Sequence, residues 1–166
     1  MKTDISATIN GKKLQSAVEP RTSLADLLRE ELRLTATHLG CEQGVCGACT
    51  VLIDGQPARA CITLAVAADG SEIRTLEGLD QDRLMAVLKD AFEDKHGLQC
   101  GFCTPGMLIS AWDLIRRKAD LSDADIRIAM SGNLCRCTGY QGIVRSIASA
   151  AKIWADASQP AREPAR

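Results

Sequence analysis

The stretch that decides the fold is Gly40-Cys41-Glu42-Gln43-Gly44-Val45-Cys46-Gly47-Ala48-Cys49-Thr50-Val51. Its three cysteines are spaced C-x4-C-x2-C, and eleven residues separate Cys49 from Cys61. That spacing is the pattern of a plant-type 2Fe–2S site. Three thiolates on one loop have to converge on two irons, so the loop must wrap tightly. Gly40, Gly44 and Gly47 allow the positive φ and close approach this needs. The N–H groups of such a loop donate to sulfur and offset the thiolate charge. Cys61 supplies a fourth ligand from a nearby hairpin. Zinc is the main rival, but structural zinc sites pair two C-x2–4-C knuckles. Here there is one C-x2-C, preceded by a four-residue gap. Disulfides or free thiols rank last, on compartment grounds.

Outward from this loop, the first half reads as mixed strand and helix. Residues 5–9 alternate apolar with small or polar side chains, as a half-buried strand does. Asn10-Gly11 is a hairpin turn signal, since both residues tolerate positive φ; residues 13–18 form the return strand. Ser23 with Asp26 is a capping box that opens a helix with Leu24, Leu27, Leu28 and Leu32 on one face. Residues 50–53 and 57–61 flank an Asp54-Gly55 turn, and residues 72–76 form a last strand. This order predicts a β-grasp, a sheet curled over one helix, spanning residues 1–78.

The second half, residues 79–157, reads as four amphipathic helices with short connections, a compact bundle. Leu84, Met85, Val87, Leu88, Ala91 and Phe92 mark the first helix. Thr104-Pro105 opens the second, with Thr as cap and Pro at the first helical position. Ser122 with Asp125 opens the third, which ends near Gly132. Residues 141–157 form the fourth, with Ile143, Val144, Ile147, Ala151 and Trp154 inward. The end of the chain is Ala, Pro and charge; residues 158–166 read as a disordered tail, or one ordered only against a partner.

The helical half carries the other four cysteines, Cys100-x2-Cys103 and Cys135-x-Cys137. A lone C-x-x-C is weak, and the βαβ context of a thioredoxin-like dithiol is missing. The pairing with Cys-Arg-Cys matters more. Residues i and i+2 of an extended segment face one side, so Cys135 and Cys137 can bind one centre while Arg136 points away. Cys103 also precedes a helix start, where unpaired N–H groups suit an anionic cluster. Spacing alone leaves 2Fe–2S and zinc nearly level for this set.

Composition bounds the rest. The chain has 166 residues, eight of them Cys, with 20 Lys+Arg against 21 Asp+Glu and a net charge of −1. The balance argues against nucleic-acid binding, which normally shows a basic excess. Apolar runs are too short for a membrane span, and the N-terminus carries no secretory signal. A cytoplasmic location is expected, although a partner with its own export signal can carry a folded subunit out. His38 and His96 read as structural or surface residues, and Trp112 and Trp154 as core. Arg116-Arg117-Lys118 reads as a helix end whose cations favour the dipole. No phosphate-binding loop, nucleotide fingerprint or Ser/His/Asp arrangement is visible, so no catalytic residue is expected.

Taken together, three motifs resemble those of one family. Residues 40–51 resemble the first cluster motif of the small iron–sulfur subunit of molybdenum hydroxylases, the xanthine dehydrogenase/aldehyde oxidoreductase/carbon monoxide dehydrogenase family. Gln99-Cys100-Gly101-Phe102-Cys103-Thr104-Pro105-Gly106-Met107 resembles the second motif. Gly132-Asn133-Leu134-Cys135-Arg136-Cys137-Thr138-Gly139-Tyr140 resembles the third. The resemblance spans about residues 4–155, with every motif in order. It implies a plant-type 2Fe–2S cluster on Cys41, Cys46, Cys49 and Cys61 in a β-grasp domain. It implies a second 2Fe–2S cluster on Cys100, Cys103, Cys135 and Cys137 in a four-helix domain with approximate two-fold symmetry. Gln99 and Cys137 stand where the family contacts the molybdenum–pterin cofactor, a cytosine dinucleotide form, of a large subunit. The implied role is an electron-transfer subunit in a hetero-oligomer. It passes single electrons from molybdenum through the helical-domain cluster, then the plant-type cluster, to FAD on a medium subunit, a cytochrome or another acceptor.

Overall fold

The computed structural model describes residues 2–118 and 120–158. Two hairpins build most of the sheet. β1 (Thr3–Ile9) and β2 (Lys12–Val18) pair antiparallel around Asn10-Gly11. β3 (Thr50–Ile53) and β4 (Gln56–Arg59) pair around Asp54-Gly55. Both turns have φ near +49° then +78°, the left-handed pair that matches strand twist in a two-residue hairpin. β5 (Glu72–Arg74) lies between the hairpins, parallel to β1 and antiparallel to β3, giving the order β2-β1-β5-β3-β4.

The helix under this sheet is shorter and wider than its apolar spacing predicts. Ser23 caps α1 (Leu24–Asp26), accepting from the Asp26 N–H at 3.0 Å. The chain then widens into a π-helical turn, Leu27–Glu31, in which Leu32 N–H bonds Leu27 C=O. Leu24, Leu27 and Leu28 are still buried, against Ile5, Ile9, Val18, Val51 and Ile73. The strand expected over residues 72–76 stops at Arg74, and the one expected to reach Cys61 stops at Arg59; each continues as a 3-10 turn, Leu76–Leu79 and Ala60–Ile62.

Four helices follow: α2 (Arg83–Asp94), α3 (Thr104–Arg117), α4 (Asp123–Met130) and α5 (Gln141–Ser158). Asp82 caps α2, accepting from Met85 N–H at 2.9 Å and from the buried Trp112 indole N–H at 2.8 Å. Ser122 and Asp125 form the reciprocal capping box of α4. Cys103, not Thr104, caps α3; Thr104 is its first helical residue, and its Oγ1 is buried with no hydrogen-bond partner. Ser158 closes α5; the rest of the expected tail, residues 159–166, lies outside the described residues.

The helices enclose their own core, with Leu88, Phe92, Met107, Ile109, Trp112, Ile126, Ile143 and Ile147 at its centre. One sheet residue joins it. Successive strand side chains face opposite ways, so β3 sends Val51 into the β-grasp core and Leu52 into the helical core. That is why Thr50, Val51 and Leu52 are all buried rather than alternating: β3 is covered on both faces, as α3 packs on it.

Candidate metal centres

The loop from Cys41 to Cys49 wraps as its glycines require. Glu42, Gly44 and Gly47 have φ of 53°, 77° and 74°. A Cβ on Gly44 would fall 2.7 Å from Ile62 Cδ1, so the glycine lets the loop lie on the turn that carries Cys61. The Cys41 thiol accepts the Gln43 and Cys46 N–H groups, both at 3.4 Å. These amides, Cys46 first, hold its pKa down at about 6. Burial pushes Cys49 up to about 11, and its contact with the Cys61 thiol adds to the rise. The Cys46 thiol has the opposite effect on Cys41, lowering it further.

The second set gathers at one end of the helices. Cys100 and Cys137 are exposed, with Sγ atoms 3.4 Å apart. The Phe102 amide, then the Cys137 thiol, lowers the Cys100 pKa, while that same contact raises Cys137. Cys103 is pushed up to about 12, by burial and then by Cys135. Burial also opposes the Cys135 thiolate, but the Thr138 hydroxyl, 3.1 Å from Sγ, and amide, with the Cys137 amide and the Cys103 thiol, together hold the pKa low. Gln99 is exposed beside Cys100.

The thiols therefore interact in pairs, Cys41 with Cys46, Cys49 with Cys61, Cys100 with Cys137 and Cys103 with Cys135. Two thiolates on each of two irons is the demand of a 2Fe–2S cluster, and amide N–H groups aimed at sulfur are the donors an anionic cluster needs. The residues present fit that group at both sites.

The two sets are also tied to each other, which spacing does not reveal. Leu134 N–H donates to Cys46 C=O at 2.8 Å. Buried Asn133 donates to Gly47 C=O at 3.1 Å and accepts from the Ser110 hydroxyl at 2.9 Å. Arg59 reaches Thr50 Oγ1 at 2.5 Å and Gly132 C=O at 2.6 Å. On the other side, His38 stacks on Phe102 with ring centroids 4.9 Å apart, and its Nδ1 lies 2.7 Å from the Phe102 carbonyl. None of His38, Arg59, Ser110 or Asn133 stands out as a site residue in the sequence. The one available signal was position: Phe102 and Asn133 sit inside or beside cysteine motifs.

Comparison with known proteins agrees with this geometry. The 2Fe–2S iron–sulfur cluster binding domain family matches residues 7–79, and the 2Fe–2S binding domain family matches residues 75–148. The caffeine dehydrogenase subunit gamma of Pseudomonas sp. (strain CBB1) is 56% identical over 150 residues, covering 87% of this chain and 89% of the relative. The xanthine dehydrogenase iron-sulfur-binding subunit of Escherichia coli O157:H7 is 43% identical over 145 residues, 86% of this chain and 91% of the relative. This chain belongs to the small iron–sulfur subunits of the xanthine dehydrogenase family of molybdenum hydroxylases. The crystal structure of quinoline 2-oxidoreductase from Pseudomonas putida 86 matches with a TM-score of 0.86 and 52% identity, covering 95% of this chain and 98% of that one. The β-grasp followed by a helical 2Fe–2S domain is thus the family's α+β architecture. As a small iron–sulfur subunit, the chain is the electron-transfer part of an oxidoreductase complex. No helix among the described residues is long and apolar enough to cross a membrane.

Proposed function

We propose that this iron–sulfur subunit passes single electrons from the molybdenum–pterin centre of a large subunit to FAD on a medium subunit, to a cytochrome or to another acceptor. Cys41, Cys46, Cys49 and Cys61 hold one 2Fe–2S cluster, and Cys100, Cys103, Cys135 and Cys137 hold the other. A bound 2Fe–2S cluster supplies one-electron storage and release. The observation that carries the reading is the meeting of eight thiols as two sets of two pairs, joined across the Leu134–Cys46 hydrogen bond.

The chain's own residues set the ends of the path. Exposed Gln99, Cys100 and Cys137 face outward with Leu98, Phe102 and Leu134 exposed around them. This apolar surface suits the large subunit, with Gln99 and Cys137 as the contacts to a pterin in its cytosine dinucleotide form. Val45, Ile62 and Leu64 are exposed beside the first set and suit the acceptor. The proposed division falls between residues 1–78 and 79–157, supported by two separate cores, with Leu52 of β3 and Leu76 reaching from the first segment into the second core. Eight cysteines engaged as iron ligands rather than disulfides fit a reducing compartment, hence the cytoplasm.

The test is iron content and spectra of the purified complex. Four irons per chain and two distinct EPR signals on reduction are expected; one cluster, or colourless zinc, overturns the reading. Gln99→Ala or Cys137→Ser should slow reduction by the large subunit while the plant-type signal stays intact.

A further inference from the structure

Arg59 is a half-buried cation that no carboxylate answers. Its guanidinium spans the junction between the two motifs: one nitrogen on the Thr50 hydroxyl, next to Cys49, the other on the Gly132 carbonyl, three residues before Cys135. Both partners are neutral oxygens, and Arg59 makes no ion pair among the described residues. The carboxylate that lines the same cleft, Asp113, is taken by Arg117 at 2.8 Å. The approach is also built in from the other side, since a Cβ on Gly132 would sit 2.9 Å from the Arg59 nitrogen. A desolvated charge is costly unless something of opposite sign compensates it. Four thiolates on each side of the junction, once ligating, provide that opposite sign.

We propose that Arg59 is the charge-compensating residue shared by both iron–sulfur centres, holding their two loops together and favouring the electron-loaded form of each. This rests on the ligand sets proposed above. A 2Fe–2S cluster held by these cysteines would supply one-electron storage, and the electron it accepted would add one unit of negative charge beside a fixed cation. Net charge and local hydrogen bonding set the potential of such centres, and their weight grows as water is excluded. Arginine suits the place because its planar fork meets two acceptors at once and never loses its charge near neutral pH.

The test is the midpoint potential of each centre in the purified complex, followed by EPR, in Arg59→Met and Arg59→Lys. Met keeps the apolar stem and removes the charge, so both potentials should shift to more negative values. Lys keeps the charge and loses the fork, so both should stay close to the parent. A third variant leaves Arg59 in place: Pro57→Glu, two residues earlier on the same face of β4 and lining the same cleft, offers it a carboxylate. This variant should shift both potentials in the same direction as Met, by less. It also gives the answer if Arg59→Met does not load iron. Unmoved potentials in Arg59→Met with four irons retained overturn the proposal, as does a Lys shift equal to that of Met or an unmoved Pro57→Glu. A parent complex lacking two distinct centres overturns the ligand sets themselves, and shows it before any variant is made.

Discussion

Gly106→Ala is the sharpest test of how the two halves meet, because two effects of opposite sign compete there. Gly106 lies in the first turn of α3, and its φ is not in the left-handed region. By helix propensity alone, alanine should stabilise by about 1 kcal/mol. The structure says otherwise. A Cβ at 106 would stand 2.2 Å from the Gly47 carbonyl oxygen and 3.3 Å from Ala48 Cα, both backbone atoms that cannot swing aside. α3 and the first cysteine loop must separate by about 1 Å to restore ordinary contact. Overpacking of this kind costs about 1–3 kcal/mol. Separation also strains the Asn133–Gly47 and Leu134–Cys46 hydrogen bonds, each worth about 1 kcal/mol. Offset by the propensity gain, the net loss is about 1–3 kcal/mol. At about 2–4 °C per kcal/mol for a chain of this size, the melting temperature should fall by several degrees. Gly55→Ala is the control: φ is +78° but nothing lies within 4 Å, so it carries backbone strain without collision. Calorimetry gives the melts, and hydrogen exchange at the Leu134 amide reports the junction directly. Exchange there should accelerate in Gly106→Ala and not in Gly55→Ala. A Gly106→Ala melt at or above the parent, or unchanged Leu134 exchange, refutes the close backbone contact.

Two further expectations follow from single residues. Asp82→Ala removes the α2 cap, worth about 1 kcal/mol, and leaves the Trp112 indole N–H unpaired in the core, at about 1–3 kcal/mol. Asp82→Asn keeps an acceptor for both donors, so its melting temperature should lie well above that of the Ala variant. The thiols should differ in reactivity once iron is removed, since the thiolate is the nucleophile. Cys41, held at about 6, should be alkylated first by iodoacetamide at neutral pH, and should slow only as pH falls below that value. Cys49, at about 11, and Cys103, at about 12, should stay protected until strongly alkaline pH. Mass-spectrometric mapping checks the order, and labelling of Cys103 before Cys41 contradicts it.

Where the chain's local chemistry decides the structure, the sequence was legible. The Asn10-Gly11 and Asp54-Gly55 turns, the Ser23 and Ser122 caps and the apolar stripe of α3 each act within a few residues. Cysteine spacing likewise marks a loop that must wrap. The departures come from longer range. Leu24, Leu27, Leu28 and Leu32 have helical spacing, yet packing under the sheet widens the turn at Leu27–Glu31 into a π-helix. Thr104 resembles a cap by residue type, but Cys103 holds that place because the cysteine loop sets where α3 begins. The apolar strand Thr50–Ile53 does not announce which face meets which core. His38 is 64 residues from Phe102, and Asn133 is 86 from Gly47, so their contacts exist only once two separate cores have met.

The place of β5 in the sheet bears on how the chain is made. Each hairpin is local, so each can close soon after it leaves the ribosome, whereas β5 is synthesised after both and lies between them. Cys41, Cys46, Cys49 and Cys61 all precede Glu72. A continuous sheet therefore cannot exist before every thiol of the first set has been translated. Until then the nascent chain holds two separate ribbons with four open edges, the state most prone to mispairing with other strands, and the three residues Glu72–Arg74 close the two inner ones, of β1 and β3.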